Sequence, residues 1–202
     1  MNRLTGILMA FMLISFISAD NTLTKKERKY ATDLLKDTHQ ALQKSIEALT
    51  DEQLNFKASD STWSVDGCVK HIAISEKILF SAVEEALKKP VNPEKRADIK
   101  STDEQIVNFM ENRTTRVKTM DPMKPENTQF QTTADALNSV NESTKKIIEF
   151  VNSTKDDLRN HVVELPFGTY DAYQIILIIG SHKNRHTQQI EEVKAQPGYP
   201  KG

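Results

Sequence analysis

Residues 24–49 read TKKERKYATDLLKDTHQALQKSIEAL, and this stretch decides the fold class. Thr24 and Glu27 stand at capping-box spacing. The hydroxyl of such a threonine accepts the N–H three residues on, and the glutamate reaches back to the threonine N–H, so two orphan donors of a helix start are satisfied. Beyond them, apolar or small residues recur at Ala31, Leu34, Leu35, Thr38, Ala41, Leu42, Ile46 and Leu49. That is the 3.6-residue stripe of a helix with one buried face. A long helix of this kind must bury its stripe against other elements.

The rest of the chain supplies them. Thr50-Asp51-Glu52-Gln53 repeats the capping spacing and predicts a short turn of helix, and residues 57–62 are polar and loop-like. Ser64 caps a second long helix, with Trp63 as the apolar residue that fixes its entry angle. Its stripe is Cys68, His71, Ile72, Ser75, Ile78, Leu79, Ala82, Val83 and Ala86, and Lys88, Lys89 and Pro90 close it. A shorter helix is expected from Ser101 to about Thr119. Thr132 or Thr133 caps the next, whose apolar side is Ala136, Val140, Ile147, Ile148 and Val151. Residues 161–165 alternate weakly, as a short extended segment before Pro166-Phe167-Gly168, and a last helix is expected over 171–195.

No run of strands alternates regularly enough to build a sheet, and no fixed-period repeat is present. The expected fold is all-α, a four-helix bundle. The connection over 90–131 is too long for a tight antiparallel turn, so it is expected to cross over the bundle and to carry the extra short helix.

Composition agrees with one such domain. The 202 residues hold 27 Lys+Arg against 28 Asp+Glu, with 38% hydrophobic residues, six Gly and seven Pro. Low Gly and Pro exclude collagen-like and Pro/Gly-rich disordered chains, and a mean hydropathy of -0.53 excludes a multi-span membrane protein. A net charge of -1 lacks the cationic excess that a nucleic-acid surface needs. Cys68 is the single cysteine, which excludes an intrachain disulfide.

The N-terminus reads as a secretory signal peptide over residues 1–19: Arg3, an apolar stretch from Leu4 to Ile17, and the small pair Ser18-Ala19 before Asp20. An uncleaved anchor is disfavoured, because the stretch is shorter than the roughly 20 residues that span a bilayer. The expectation is an extracytoplasmic domain, secreted or periplasmic, over residues 20–202, with no stable membrane anchor after cleavage.

Chemistry rests on histidines, since there is no phosphate loop, no C-x-x-C pair and no G-x-S-x-G elbow. His182 and His186 are four apart on the last helix, within the stripe Ile175, Ile178, Ile179, His182, His186 and Val193. Their imidazoles project from one face about a turn apart, at chelate spacing. His71 lies on the inward stripe of a different helix, and bundles build metal sites from facing helices. Three neutral imidazoles leave coordination positions free, as in catalytic sites, and Zn, Ni, Fe, Mn and Cu are all compatible. Cys68, one turn before His71, is read as a small buried thiol in preference to a fourth ligand. His39 is read as exposed or flanking, His161 as a loop residue and Trp63 as a core anchor. Glu76 and Arg185 are either hydrogen-bond partners of the ligating histidines or solvated charges.

Trp63-Ser64-Val65 opening a helix, His71 in Val69-Lys70-His71-Ile72, His182-x-x-Arg185-His186-x-x-Gln189 and the late Pro-Gly-Tyr-Pro at 197–200 resemble the DinB superfamily of four-helix bundles. The resemblance covers about residues 24–200. It implies a divalent metal (Zn, Ni, Fe or Mn) held by three histidines, which map onto His71, His182 and His186. The family includes thiol-dependent transferases and isomerases that use bacillithiol or mycothiol, but the export signal separates this chain from such cytosolic thiols. The expected function is therefore an exported metal-dependent enzyme acting on a small molecule, hydrolase before thiol transferase. A bundle that binds metal or a small ligand without chemistry is the alternative. A homodimer is expected by analogy alone.

Overall fold

The computed structural model describes residues 22–115 and 117–201; the signal-peptide reading of residues 1–19 lies outside them. In chain order the elements are α1 (Lys25–Ile46), α2 (Asp51–Asn55), α3 (Val65–Leu87), α4 (Asp103–Glu111), α5 (Thr133–Ser153), β1 (Val162–Leu165), β2 (Gly168–Asp171) and α6 (Ala172–Lys194), with short 3₁₀ turns between α3 and α5. The four long helices α1, α3, α5 and α6 form the expected bundle. α1 and α3 each pack against both α5 and α6, so they face each other across a diagonal.

The crossover from α3 to α5 carries α4, and α4 lies along the outer side of α6. Covered by α1, α3 and α4, α6 has neighbours on three sides. Every residue from Ala172 to Ser181 is accordingly buried, where the sequence had indicated a single stripe. Gly180 lets α1 approach closely, because a Cβ there would stand 2.9 Å from Leu34 Cγ.

Helix starts follow the capping spacings. Thr24, Thr50, Thr102, Thr132 and Asp171 each form a reciprocal capping box, and Ser64 Oγ accepts the Gly67 N–H. Each such cap stabilises its helix by about 1 kcal/mol.

One expected element ends early, and another is present and gains a partner strand. α4 ends at Glu111, well short of Thr119, because the Asn112 side chain accepts the Thr114 N–H at 2.8 Å and its hydroxyl at 2.6 Å, and this turn replaces the next helical bonds. The extended segment after His161 also finds a partner. β1 pairs antiparallel with β2, Val162 opposite Asp171 and Leu165 opposite Gly168, and Gly168 takes the φ of +148° that this tight turn requires.

The core is divided along the bundle axis. One apolar cluster gathers around Leu35, Leu79, Ile147 and Ile175–Ile179, the other around Leu42, Val69, Ile72, Val140 and Ile190. Between them each long helix contributes polar groups: Thr38 and His39, Ser75 and Glu76, Ser139 and Thr144, Lys183 and Thr187. In this belt Lys183 is fully buried, its Nζ 2.7 Å from Glu76 Oε1 and donating to Thr144 Oγ1 at 2.6 Å. Ser143 Oγ donates to the other Glu76 oxygen. The pair leaves no uncompensated charge inside the bundle.

Candidate metal centre

The three histidines meet where the polar belt opens between α3 and α6. α3 brings His71, 2% exposed, and α6 brings the partly exposed His182 and the 6% exposed His186. His182 Nε2 lies 3.2 Å from His71 Nε2 and 3.1 Å from His186 Nε2. Ligand atoms of all three fall within 4.8 Å of one another, and among the described residues neither a carboxylate nor a thiol joins the group. Nitrogens bound to one tetrahedral ion at about 2.0–2.1 Å would stand about 3.4 Å apart. The observed spacings are close to that.

The opposite ring nitrogens decide which atoms face inward. His71 Nδ1 is 2.6 Å from the Met123 carbonyl oxygen, which can only accept, so Nδ1 carries the proton and Nε2 presents a lone pair. His186 Nδ1 lies 2.9 Å from Gln189 Oε1. Arg113 Nη1 donates to that same oxygen at 3.4 Å, which fixes the amide orientation, and Arg113 is itself held by Glu192 through contacts of 3.1 and 2.6 Å. His186 Nε2 is therefore also a lone pair. A single proton on His182 Nε2 can face only one of its two neighbours, so without a cation one pair of lone pairs is left opposed.

Protonation is a poor remedy, because burial disfavours the imidazolium. Burial lowers His71 to about 4, against a raising effect of its bond to Met123, and it holds His182 and His186 well below the ordinary value, with repulsion from neighbouring cations adding to it. Three neutral donors gathered at one point, with the outward N–H groups of His71 and His186 already bonded, fit a divalent metal ion.

Trp63 closes one side. Its ring lies 4.8 Å from that of His71 and stacks on His186 at 5.8 Å, while it also packs against the second apolar cluster, so it is both core anchor and site wall. The histidines face a cavity of about 1080 Å³ bounded by α3, α4, α6, the crossover and the hairpin.

Other sequence candidates fall elsewhere. Cys68 is fully buried in the second cluster, and burial pushes its thiol up to about 12. Glu76 and Arg185 are neither solvated nor bonded to a histidine of the group. Glu76 holds Lys183, and the Arg185 guanidinium donates to the carbonyls of Met110, Asn112 and Thr115, tying the crossover to α6. His39 is half-buried and flanks the polar belt, and its Nδ1 has no hydrogen-bond partner among the described residues. His161 is buried beside the hairpin, where its carbonyl accepts the Ala172 N–H. The sequence reading missed the roles of Met123, Gln189 and Arg113. A backbone carbonyl leaves no sequence signal, whereas Gln189, three residues after His186 on a helix, was discoverable from spacing.

Comparison with known proteins agrees with the fold. The fold matches YfiT from Bacillus subtilis, described as a probable metal-dependent hydrolase with an unusual four-helix bundle topology, with a TM-score of 0.58 at 16% identity over 86% of this chain and 89% of that one. No curated protein matches. A family model matches residues 34–190, and the chain belongs to the DinB superfamily.

Proposed function

We propose that this protein is an exported metal-dependent enzyme acting on a small molecule, a hydrolase rather than a thiol transferase, with His71, His182 and His186 as its metal ligands. The observation that carries the reading is the convergence of three Nε2 atoms, 3.1 and 3.2 Å apart, with the outward Nδ1 atoms of His71 and His186 already committed. A divalent ion at such a site acidifies water and polarises the bond under attack. The protein's own contribution is orientation: Met123 and Gln189 fix two tautomers, and Trp63 excludes solvent from one side.

The lack of a fourth donor in the group among the described residues favours catalysis over a structural site, because a structural ion is closed by four protein ligands. Export rests on the N-terminal segment Arg3–Ala19, and it argues against a cytosolic thiol as co-substrate. Zn, Ni, Fe and Mn all suit the donor set.

The test is elemental analysis of mature, untagged protein beside a His71→Ala, His182→Ala double variant. About one equivalent of a transition metal is expected in the wild type, absent from the variant while helical circular dichroism is retained. A wild type without metal even after reconstitution would overturn the site.

A further inference from the structure

Only five large hydrophobic side chains are exposed among the described residues: Tyr30, Val91, Phe109, Val117 and Phe167. Three of them, Phe109, Val117 and Phe167, line the cavity that holds the histidines. They come from separate parts of the chain, namely the last turn of α4, the crossover beyond it and the turn of the β-hairpin. Scattered exposed apolar residues need no explanation, but their convergence on one cavity does. Leu79 and Met110 line the same cavity, and Tyr170, its ring 5.7 Å from that of Phe167, continues the apolar wall.

Of the four cationic side chains of this wall, only Lys118 has no ion pair or hydrogen bond among the described residues, so the wall carries little free positive charge for an anionic ligand. Arg113 is paired with Glu192, Arg185 is spent on three backbone carbonyls, and Lys124 is paired with Asp121. A pocket with apolar walls and a few polar groups at one end takes ligands of the same asymmetry.

We infer that the substrate is an amphipathic small molecule, with an apolar chain or ring lying against Phe109 and Phe167 and a polar reacting group placed at His71, His182 and His186. The inference rests on the metal-site reading for the polar end and on the cavity wall alone for the apolar end.

Alkyl hydroxamates of two lengths test it, since both carry the same metal-binding head. In zinc-loaded protein, octanohydroxamate is expected to bind at least about tenfold more tightly than acetohydroxamate by calorimetry. In a Phe109→Ala, Phe167→Ala double variant that preference should fall below about threefold, with acetohydroxamate affinity unchanged, whereas Val91→Ala, also exposed but off the cavity, should leave it intact. Equal affinities in the wild type, or a preference that survives in the double variant, would overturn the inference while leaving the metal site standing.

Trp63 gives a readout independent of metal. It is the single tryptophan of the chain and lines the cavity. Its emission in metal-free protein should respond to 1-octanol and not to ethanol, and loss of that response in the double variant is expected. If zinc is not retained and neither hydroxamate binds, zinc is ruled out as the ion, and the alcohol titration still decides the apolar end: no response to 1-octanol refutes it.

Discussion

Replacing Gln189 by leucine removes the acceptor that holds the proton of His186 on Nδ1, 2.9 Å away, without touching a ligand atom. The ring is 6% exposed, so water cannot substitute freely. A buried N–H left without a partner costs about 1–3 kcal/mol. The imidazole escapes that cost by moving the proton to Nε2, which removes the lone pair the metal needs. Either route weakens the site, and the loss of such an outer partner lowers metal affinity about 10- to 100-fold, equivalent to about 1.4–2.8 kcal/mol. Gln189→Glu keeps an acceptor facing both His186 and Arg113, and should bind zinc at least as tightly as the wild type. The assay is competition with a chromophoric chelator at neutral pH, on variants of unchanged helicity. Zinc affinity of Gln189→Leu within about threefold of the wild type, or a Gln189→Glu variant as weak as the leucine one, would refute the tautomer argument.

Two further outcomes follow from the buried ionisable groups. Lys183→Met strands the Glu76 carboxylate inside the bundle and should cost about 3–5 kcal/mol in urea unfolding, while adding Glu76→Leu should recover most of it; a mild single variant would contradict the buried pair. The metal-free protein should lose stability as the pH falls. Keeping His71 neutral contributes fully above its unfolded value of 6.5, and that contribution is lost as the pH drops toward about 4, at about 1.4 kcal/mol per pH unit. His182 and His186 shift in the same direction, so the slope should be shallower in His71→Ala, and urea midpoints that stay flat between about pH 6.5 and pH 5 would contradict the burial argument.

Helix starts were legible because a cap is a local event: a hydroxyl and a carboxylate or amide three residues apart show in the sequence whatever the fold does later. The histidine cluster was legible for a related reason, since His182 and His186 share a helix face and His71 sits on a recognisable inward stripe. Elements decided by distant partners were not. The end of α4 depends on Asn112 turning back on its own backbone and on Arg185 gathering three carbonyls from 70 to 75 residues away. β2 is a four-residue strand whose only evidence is its pairing with β1. The Glu76–Lys183 pair joins helices 107 residues apart in the chain, and neither member, read singly, differs from a surface charge.

The acceptor that orients His71 is a main-chain oxygen of the crossover, and the three groups that Arg185 grips there are main-chain oxygens too. Such contacts are indifferent to which side chain the residue bears. The crossover can therefore be rewritten, residue by residue, over the positions that face the cavity, while the histidine geometry stays where the backbone holds it. On the proposed reading, a scaffold built this way separates the part that would do chemistry from the part that would choose what it acts on, so new specificities would be open to it through substitutions that leave the three histidine rings undisturbed.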